Sequence, residues 1–236
     1  MSNLIKPIPD GTRHDWTIEV DGKAVDVKYV VFNNPKFGKL SFGRRPEGTI
    51  GWIWHEASGG GQGVVPYAVI NNCLHIGLIN ENRPTLSGFS WNIPRGFINP
   101  GETHLESARN EINEEIGNLP ELELEKLDGA PSNPNSTFFD TSKNGEGFVF
   151  FGLKIPADML VKRENLLTAW DITCYNPSDV FYEFKDRSIK PISKIGEKIV
   201  ACLFVPWYYA SMVPDTFSGM GTLKLLATKI NLVDYL

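Results

Sequence analysis

The segment from Gly96 to Asn118 places several carboxylates around one short predicted helix, at spacings that suit a divalent metal ion. It reads GFINPGETHLESARNEINEEIGN, and Glu111, Glu114 and Glu115 stand at positions i, i+3 and i+4. Side chains at these spacings are neighbours on a helix, and like charges there are destabilising unless a cation lies between them. Hard oxygen ligands with room left for water and phosphate favour magnesium or manganese over zinc or calcium. The alternative for such an acidic run is a solvated face with no ligand.

Turn and capping signals delimit this helix. The Asn-Pro-Gly turn at residues 99–101 ends the preceding extended segment, and Glu102 and Thr103 then supply negative charge and a capping hydroxyl. The sequence therefore predicts a helix from Thr103 to Ile116, ended by Gly117 in the left-handed conformation. At about 100° per residue, one apolar stripe should dock the helix on a core. This stripe consists of Leu105, Ala108, Ile112 and Ile116.

The glycines and glutamates of this segment fall at fixed offsets. In these offsets the chain resembles the Nudix hydrolases, whose box reads G, five residues, E, seven residues, R-E-U, one residue, E-E, one residue, G-U, where U is a bulky apolar residue. The matching positions are Gly96, Glu102, Glu111, Ile112, Glu114, Glu115 and Gly117. Asn110 and Asn118 depart from the box, which has arginine and an apolar residue there. Since the family arginine orients the box carboxylates and Arg109 is one residue out of place, we expect a substitute cation from another part of the fold.

The resemblance implies a reaction and a set of ligands. Water would attack one phosphorus of a nucleoside diphosphate that is linked to another moiety, while Mg²⁺ or Mn²⁺ binds the phosphate oxygens and lowers the pKa of the attacking water. Glu111 and Glu115 would bind the metal directly, and Glu114 would be a further ligand or would hold the other two. Glu102 would support them from outside, and the main-chain carbonyl of Arg95 is similar to a family metal ligand.

Flanking segments are similar to those of one subgroup, the ADP-ribose pyrophosphatases. A Q-x-R-like element and an E-x-P-x-G element of that group correspond here to Asn80 or Asn82, Arg83, Asn92, Pro94 and Gly96. Downstream, residues 129–138 echo a proline-rich loop of the same group, with Pro134 at the expected offset. This implies ADP-ribose or a nucleotide sugar as substrate, AMP and a sugar phosphate as products, and substrate contacts by Arg83 and Pro134. The alternative for the downstream loop is a surface turn.

A catalytic base outside the box is the least determined element of the sequence. Relatives use a glutamate before the last core strand, which favours Glu197, two residues ahead of Ile199. Glu183, Asp171 and Glu164 compete with it, and each of these acids could equally lie on the surface. Two other functions stay open: hydrolysis of another Nudix substrate, such as a dinucleoside polyphosphate, NADH or a nucleoside triphosphate, and a weakly active Nudix-like ligand sensor.

Composition bounds the class of protein. The chain has 236 residues, of which 42% are hydrophobic and 22% charged, and this suits either one large globular domain or one domain with a small extension. A net charge of −5 argues against a nucleic-acid-binding face. Cys73, Cys174 and Cys202 follow no ligand or disulfide pattern, which favours a reducing cytoplasm. No stretch is apolar enough to predict a secretory signal or a membrane span.

The order of predicted elements favours an α/β fold. The resemblance implies a Nudix-type α/β/α sandwich with a mixed sheet over residues 64–236, preceded by an antiparallel β extension over residues 1–57 that would make a homodimer. Residues 58–63 are interpreted as a flexible joint, and residues 156–198 as a lid or substrate loop. The predicted strands are 16–20, 24–31, 51–54, 64–70, 74–79, 90–93, 147–155 and 199–207. A final helix over 215–232 should bury Leu223, Leu226, Ala227 and Ile230.

Aromatic residues in the predicted strands suggest two roles. Trp52, Trp54, Phe89 and Trp91 could stack on an adenine, although aromatic side chains in strands more often belong to the core. The four histidines, His14, His55, His75 and His104, form no ligand spacing and are interpreted as structural or exposed.

Overall fold

The chain folds into two compact units. A computed structural model describes residues 4–5, 16–20, 23–25, 30–34, 38–44, 50–56, 60–83, 88–99, 101–128, 147–163, 179–189 and 199–228. The first unit comprises residues 1–61, 97–102 and 130–149, and the second comprises residues 62–96, 103–129 and 150–236. The predicted boundaries at residues 57 and 64 stay a prediction.

The first unit contains an antiparallel sheet with six strands in its described part. They are β1 Leu4–Ile5, β2 Trp16–Val20, β3 Lys23–Val25, β4 Val30–Asn34, β5 Gly38–Arg44 and β6 Ile50–Glu56. Val20 pairs with Lys23, so two residues connect β2 and β3, as the Asp-Gly signal predicts. The single strand predicted over 24–31 is wrong, since β3 ends at Val25 and β4 begins at Val30 and pairs with β5.

The second sheet has nine strands among the described residues, in the order β11-β12-β7-β8-β15-β14-β13, with β10 paired to β7 and β9 paired to β8. Its strands are β7 Gly60–Ile70, β8 Cys73–Arg83, β9 Gly88–Asn92, β10 Arg95–Phe97, β11 Leu124–Lys126, β12 Gly147–Lys154, β13 Leu160–Lys162, β14 Tyr182–Phe184 and β15 Ile199–Pro206. The helices are α1 His104–Glu115, α2 Trp207–Met212 and α3 Thr216–Thr228. None of the helices in these ranges is long and apolar enough to span a bilayer.

Helices cover both faces of this second sheet. Side chains alternate along β12, so Phe150 and Leu153 point to opposite faces. Phe150 lies against α3, because a Cβ added at Gly221 would come within 2.9 Å of its ring. Leu153 borders the same cleft as Ile112 of α1. The sheet therefore lies between α1 and α3, and the predicted α/β/α sandwich is confirmed.

The box helix α1 begins and ends where its local signals predict. The Thr103 hydroxyl accepts a hydrogen bond from the Glu106 amide, and the Glu106 carboxylate accepts one from the Thr103 amide, which completes a capping box. The Thr103 amide and hydroxyl both donate hydrogen bonds to the Glu106 carboxylate, and these two bonds lower the pKa of Glu106. At the other end Gly117 has a φ of 127°, in the left-handed region.

Two predicted faces and one predicted joint are wrong in part. Leu105 is 39% exposed, whereas the rest of the predicted α1 stripe is buried. Leu223 and Ala227 of α3 are exposed, although Leu226 is buried as expected and Ile230 lies outside the described residues. The α3 residues that are buried are Ser218, Gly221, Thr222, Leu225 and Leu226. The reason lies at Gly221, where a Cβ would lie 2.8 Å from Val65, so the helix packs closely on the sheet at this glycine. Residues 60–63 belong to β7 and are not a flexible joint.

The described parts of the long segment 156–198 contribute two strands to the second sheet. Its described parts, 156–163 and 179–189, form the 3-10 turn Ala157–Met159 and the paired strands β13 and β14. Tyr182 of β14 pairs with Phe204 of β15, so these residues extend the sheet. The interpretation as a lid or substrate loop is wrong for them, and residues 164–178 and 190–198 lie outside the described residues.

Candidate active site

The Glu111 carboxylate lies directly beside the backbone of Gly96. A Cβ built on Gly96 would lie 1.7 Å from Oε1 of Glu111 and 2.5 Å from its carboxyl carbon, so the carboxylate occupies the volume that any other side chain would need. Gly96 does not have a positive φ, unlike Gly101 and Gly117. The first glycine of the box is therefore required for space and not for backbone conformation.

Glu115 is fixed by a main-chain amide. The Arg95 amide donates a hydrogen bond of 3.1 Å to Oε2 of Glu115, and Glu115 is only 6% exposed. A hydrogen bond from an amide to a carboxylate stabilises the charged form, and a buried carboxylate requires such a partner. Segment 95–96 thus lies against two box carboxylates: its Arg95 amide binds Glu115, and its Gly96 leaves room for Glu111.

The three glutamates of α1 lie in three different environments. Glu114 is exposed, Glu111 is half-buried and Glu115 is buried. All of them lie in the C-terminal half of α1, whose last turn contains no basic residue. The C-terminal end of a helix carries partial negative charge, so three carboxylates in this half of the helix favour the binding of a cation. The interpretation of the acidic run as a uniformly solvated face is wrong for Glu115.

The side chain of Arg95 contacts the start of α3. Its Nη2 lies 2.7 Å from Oδ1 of Asp215, and its guanidinium carbon lies 4.6 Å from the centre of the Phe217 ring. Asp215 is a residue that the sequence analysis missed. The Asp-x-x-Ser pattern of Asp215 and Ser218 is a local signal of a helix start, but it carries no information about the partner at Arg95.

Glu102 has a local partner in the first unit. Its Oε2 accepts a hydrogen bond of 3.1 Å from the Asn99 side-chain amide, and its own amide donates to the Asn99 carbonyl over 3.0 Å. These bonds fix the turn before α1. Its predicted role as an outer supporting residue stays a prediction.

The structure describes the remaining predicted residues unevenly. Pro134, Glu197, Glu164 and Asp171 lie outside the described residues. Arg83 is the last residue of β8, where its backbone pairs with Gly88. Glu183, one of the competing candidates for the base, forms an ion pair with Arg163. Asn92 is buried and donates to the Ser90 carbonyl.

Two further predicted features lie on α1 and β9. Asn110 and Arg109 are exposed on α1, and the expected substitute cation stays a prediction. On β9, Trp91 is buried and belongs to the core, whereas Phe89 is 53% exposed. Phe89 is therefore the better placed of these two rings for stacking on a ligand.

The donor set of the site fits a hard divalent cation. Carboxylates of Glu111, Glu114 and Glu115 and the carbonyl of Arg95 are all oxygen ligands of the kind that magnesium and manganese prefer. The space at Gly96, which the Glu111 carboxylate fills, keeps this donor close to segment 95–96. Within the described ranges, no three acidic, histidine or cysteine side chains already converge as a metal site.

Comparison with known proteins places the box in a family. The family model described as NUDIX domain matches residues 63–188. None of the curated proteins that were searched matches the chain. Three similar solved structures are a protein from Listeria monocytogenes assigned as a NUDIX hydrolase (14% identity, 70% of this chain and 90% of that chain, TM-score 0.44), an ADP compounds hydrolase (12%, 94% and 95%, TM-score 0.42) and the NUDIX domain of Shewanella oneidensis NrtR complexed with ADP ribose (13%, 71% and 84%, TM-score 0.39). Similarity at these scores says nothing about the substrate of this chain.

Proposed function

Since the chain belongs to the NUDIX family, whose model matches more than half of its sequence, we propose that it is a metal-dependent pyrophosphohydrolase. Its substrate is a nucleoside diphosphate linked to a second moiety, with ADP-ribose or a nucleotide sugar as the preferred class. The products are AMP and a sugar phosphate. This proposal depends mainly on one observation: segment 95–96 lies against the carboxylates of both Glu111 and Glu115.

We propose a different role in metal binding for each box residue. Glu111 and Glu115 would bind it directly, because segment 95–96 already restricts both side chains. Glu114 is exposed and would join as a further ligand or through water. The Arg95 carbonyl would supply a neutral oxygen, and Glu102 would support the turn that leads into α1. When bound, the cation neutralises phosphate charge and lowers the pKa of the attacking water.

Hydrolysis requires a proton acceptor and a leaving group. The oxygen of water forms a bond to one phosphorus, the P–O bond of the anhydride breaks, and the departing phosphate retains the electron pair. The proton of the water passes to a carboxylate, for which Glu197 is our candidate. Carboxylates in such sites contribute about 10²- to 10⁴-fold to the rate as general bases.

Recognition of the nucleotide is proposed for the end of the β8–β9 pair. Arg83 pairs with Gly88 and Asn82 pairs with Phe89, so the backbone brings Arg83 and the exposed Phe89 to the same end of these strands. A guanidinium binds phosphate through two parallel hydrogen bonds, and an exposed ring offers a surface for a base. By this register the positions of Arg83 and Phe89 belong to opposite faces of the strand pair, so each supports a nucleotide substrate separately, with Pro134 as a further proposed contact.

The proposal also covers the setting of the enzyme. It includes Mg²⁺ or Mn²⁺ as cofactor, a homodimer formed through residues 1–57, and a location in the cytoplasm. Cys73 and Cys202 are free thiols, which suits a reducing compartment. Analytical ultracentrifugation of the full chain and of a chain lacking residues 1–57 tests the dimer.

The decisive test is a substrate panel with product identification. The pure protein is incubated with ADP-ribose, nucleotide sugars, dinucleoside polyphosphates, NADH and nucleoside triphosphates, each with Mg²⁺ or Mn²⁺. We expect AMP from ADP-ribose or a nucleotide sugar, and no release of AMP across the panel would refute the proposal. Products that appear only from the other compounds would favour another Nudix substrate, and tight binding without turnover would favour the sensor.

Glu115→Gln tests the role of the box itself. Glutamine keeps an oxygen that can accept the hydrogen bond from the Arg95 amide, so the fold should persist. Loss of the charge should lower kcat by a factor of about 100 or more, as expected when a direct metal ligand is lost. Circular dichroism and thermal unfolding serve as the control. Unchanged turnover would remove Glu115 from the reaction.

A further inference from the structure

We propose that Asp215 is a positioning residue for the active site, which acts through Arg95 on the box carboxylates. This inference rests on the proposed function of the box. It concerns a residue outside the box, at the start of α3, and a chain of contacts that no box motif contains.

The two carboxylate oxygens of Asp215 have different partners, Ser218 for one and Arg95 for the other. Oδ2 accepts hydrogen bonds from the Ser218 amide over 2.9 Å and from the Ser218 hydroxyl over 2.6 Å, and so caps α3. Oδ1 lies 2.7 Å from Nη2 of Arg95. The two side chains of this ion pair are only 19% and 10% exposed, and the Phe217 ring lies under the guanidinium. A cation–π contact and reduced exposure make this pair stronger than an ion pair in open solvent.

Ser218 provides a second connection between α3 and the same segment. Its hydroxyl donates to Asp215 and accepts a hydrogen bond of 2.9 Å from the Ile93 amide. A hydroxyl can fill both roles at once, since it has one donor and two acceptor positions. Ser218 and Ile93 are both fully buried. The first turn of α3 therefore binds segment 93–95 at two points, the amide of Ile93 and the side chain of Arg95.

The other side of this segment holds the box. The Arg95 amide donates to Glu115, and Gly96 leaves the space that the Glu111 carboxylate fills. A single residue, Arg95, thus contacts α3 through its side chain and α1 through its backbone. Loss of the ion pair would remove one restraint on the guanidinium, and the freedom gained by Arg95 would reach the amide that orients Glu115.

Asp215→Asn isolates the ion pair from the helix cap. Asparagine caps helices about as well as aspartate and has the same shape, but it has no charge for Arg95. Arg95→Lys removes the planar group that stacks on Phe217 while it keeps the charge. Arg163→Gln is the matched control, because it breaks the Arg163–Glu183 ion pair, in which no residue of segment 93–96 takes part.

Three measurements on the whole 236-residue chain report the effect of these substitutions. The first is Mn²⁺ affinity in the absence of substrate, from the electron paramagnetic resonance signal of free Mn²⁺, which should weaken by a factor of about 3 to 10 in Asp215→Asn. The second is hydrogen exchange of the Arg95 amide, which should become faster. The third is turnover with the best substrate, where kcat should fall while KM changes less. The Arg163→Gln control should change none of these quantities.

A double-mutant cycle of Arg95→Met, Asp215→Asn and the double variant Arg95→Met/Asp215→Asn tests the coupling. If the two residues act through one contact, the double variant should bind Mn²⁺ no more weakly than the worse single variant. Additive losses would mean that each residue acts separately, and the inference would be wrong. If Asp215→Asn does not fold, Arg95→Lys decides by the same measurements.

The outcomes separate this inference from the proposed function. Absence of turnover in the natural protein would refute the proposed function, while Mn²⁺ affinity and amide exchange would still decide the role of Asp215. Turnover in the natural protein, together with unchanged Mn²⁺ affinity and Arg95 exchange in Asp215→Asn, would overturn the inference alone.

Discussion

Gly96→Ala should lower the activity of the protein strongly while it changes the stability only slightly. The added Cβ would lie 1.7 Å from Oε1 of Glu111, and contacts of this kind do not occur below 3.0 Å, so the carboxylate must move by about 1.3 Å. The backbone itself tolerates alanine, because φ of Gly96 does not lie in the left-handed range. The cost therefore falls on the end of one flexible side chain, which can move aside at little expense in stability.

The expected loss of activity follows from that displacement. Misplacement of a reacting or positioning group by about 1 Å costs about 100-fold in rate, which corresponds to about 2.7 kcal/mol of transition-state stabilisation. We expect kcat to fall by this factor with the substrate identified in the panel. The midpoint of thermal unfolding should change by less than about 4 °C, which corresponds to less than about 1 kcal/mol.

Gly219→Ala is the matched control for this experiment. Nothing lies within 4 Å of a Cβ at Gly219 in α3, so the substitution adds a methyl group without a clash. It should keep full activity. If Gly96→Ala retained the activity of the natural protein, the contact between Gly96 and Glu111 would have no role in the reaction, and the reasoning from the box geometry would be refuted.

Two further predictions concern stability. Gly221→Ala should destabilise the protein by about 1–3 kcal/mol, because its Cβ would meet Val65 at 2.8 Å and Phe150 at 2.9 Å, whereas Gly219→Ala in the same helix should stabilise it by up to about 1 kcal/mol; urea titration measures both, and equal effects would contradict the packing argument. Burial lowers the pKa of His75 below its ordinary value of 6.5, against the opposing effects of the Cys73 and Val180 carbonyls and of Asp179. The folded protein therefore binds a proton at His75 less readily than the unfolded chain, so the contribution of His75 to stability is complete above pH 6.5 and is lost as pH falls below it. In His75→Gln the unfolding midpoint should depend less steeply on pH between about 7 and 5, and an unchanged slope would show that another group titrates there.

The bounds of the box helix could be predicted from the sequence because the signals are local. The capping box joins Thr103 and Glu106, and the φ of Gly117 is a property of one residue. Neither depends on distant parts of the chain. The central strands were predictable for a similar reason, since a buried strand such as β12 is a short apolar run wherever it lies in the sheet.

The rotation of each helix on the sheet could not be predicted in the same way. A helical wheel assigns large apolar residues to the core, and this placed Leu105 and Leu223 there. In the structure Glu115 is buried instead, since the Arg95 amide satisfies its carboxylate. Similarly, α3 packs through Gly221 because a small residue allows close approach. Both results depend on a partner in another element, which the periodicity of one segment does not contain.

The connection between Arg95 and Asp215 was the least predictable feature of the site. The two residues are separated by 120 positions in the chain, and each has a sufficient local explanation, one as the residue before the box and the other as a helix cap. Only the close packing of segment 93–95 against the start of α3 joins them.

These contacts also explain how α1 tolerates three glutamates near its C-terminal end. Glu114 is exposed and its charge is screened by water, while Glu115 receives a hydrogen bond from the Arg95 amide. Glu111 is held beside Gly96 at a position that no side chain of segment 95–96 contests. The repulsion that remains between neighbouring carboxylates is relieved when a divalent cation binds, so the same charges that weaken the helix alone should favour metal binding. The first turn of α3 binds segment 93–95, whose Arg95 amide in turn binds Glu115. For this reason we expect Asp215 to influence metal binding by the box carboxylates.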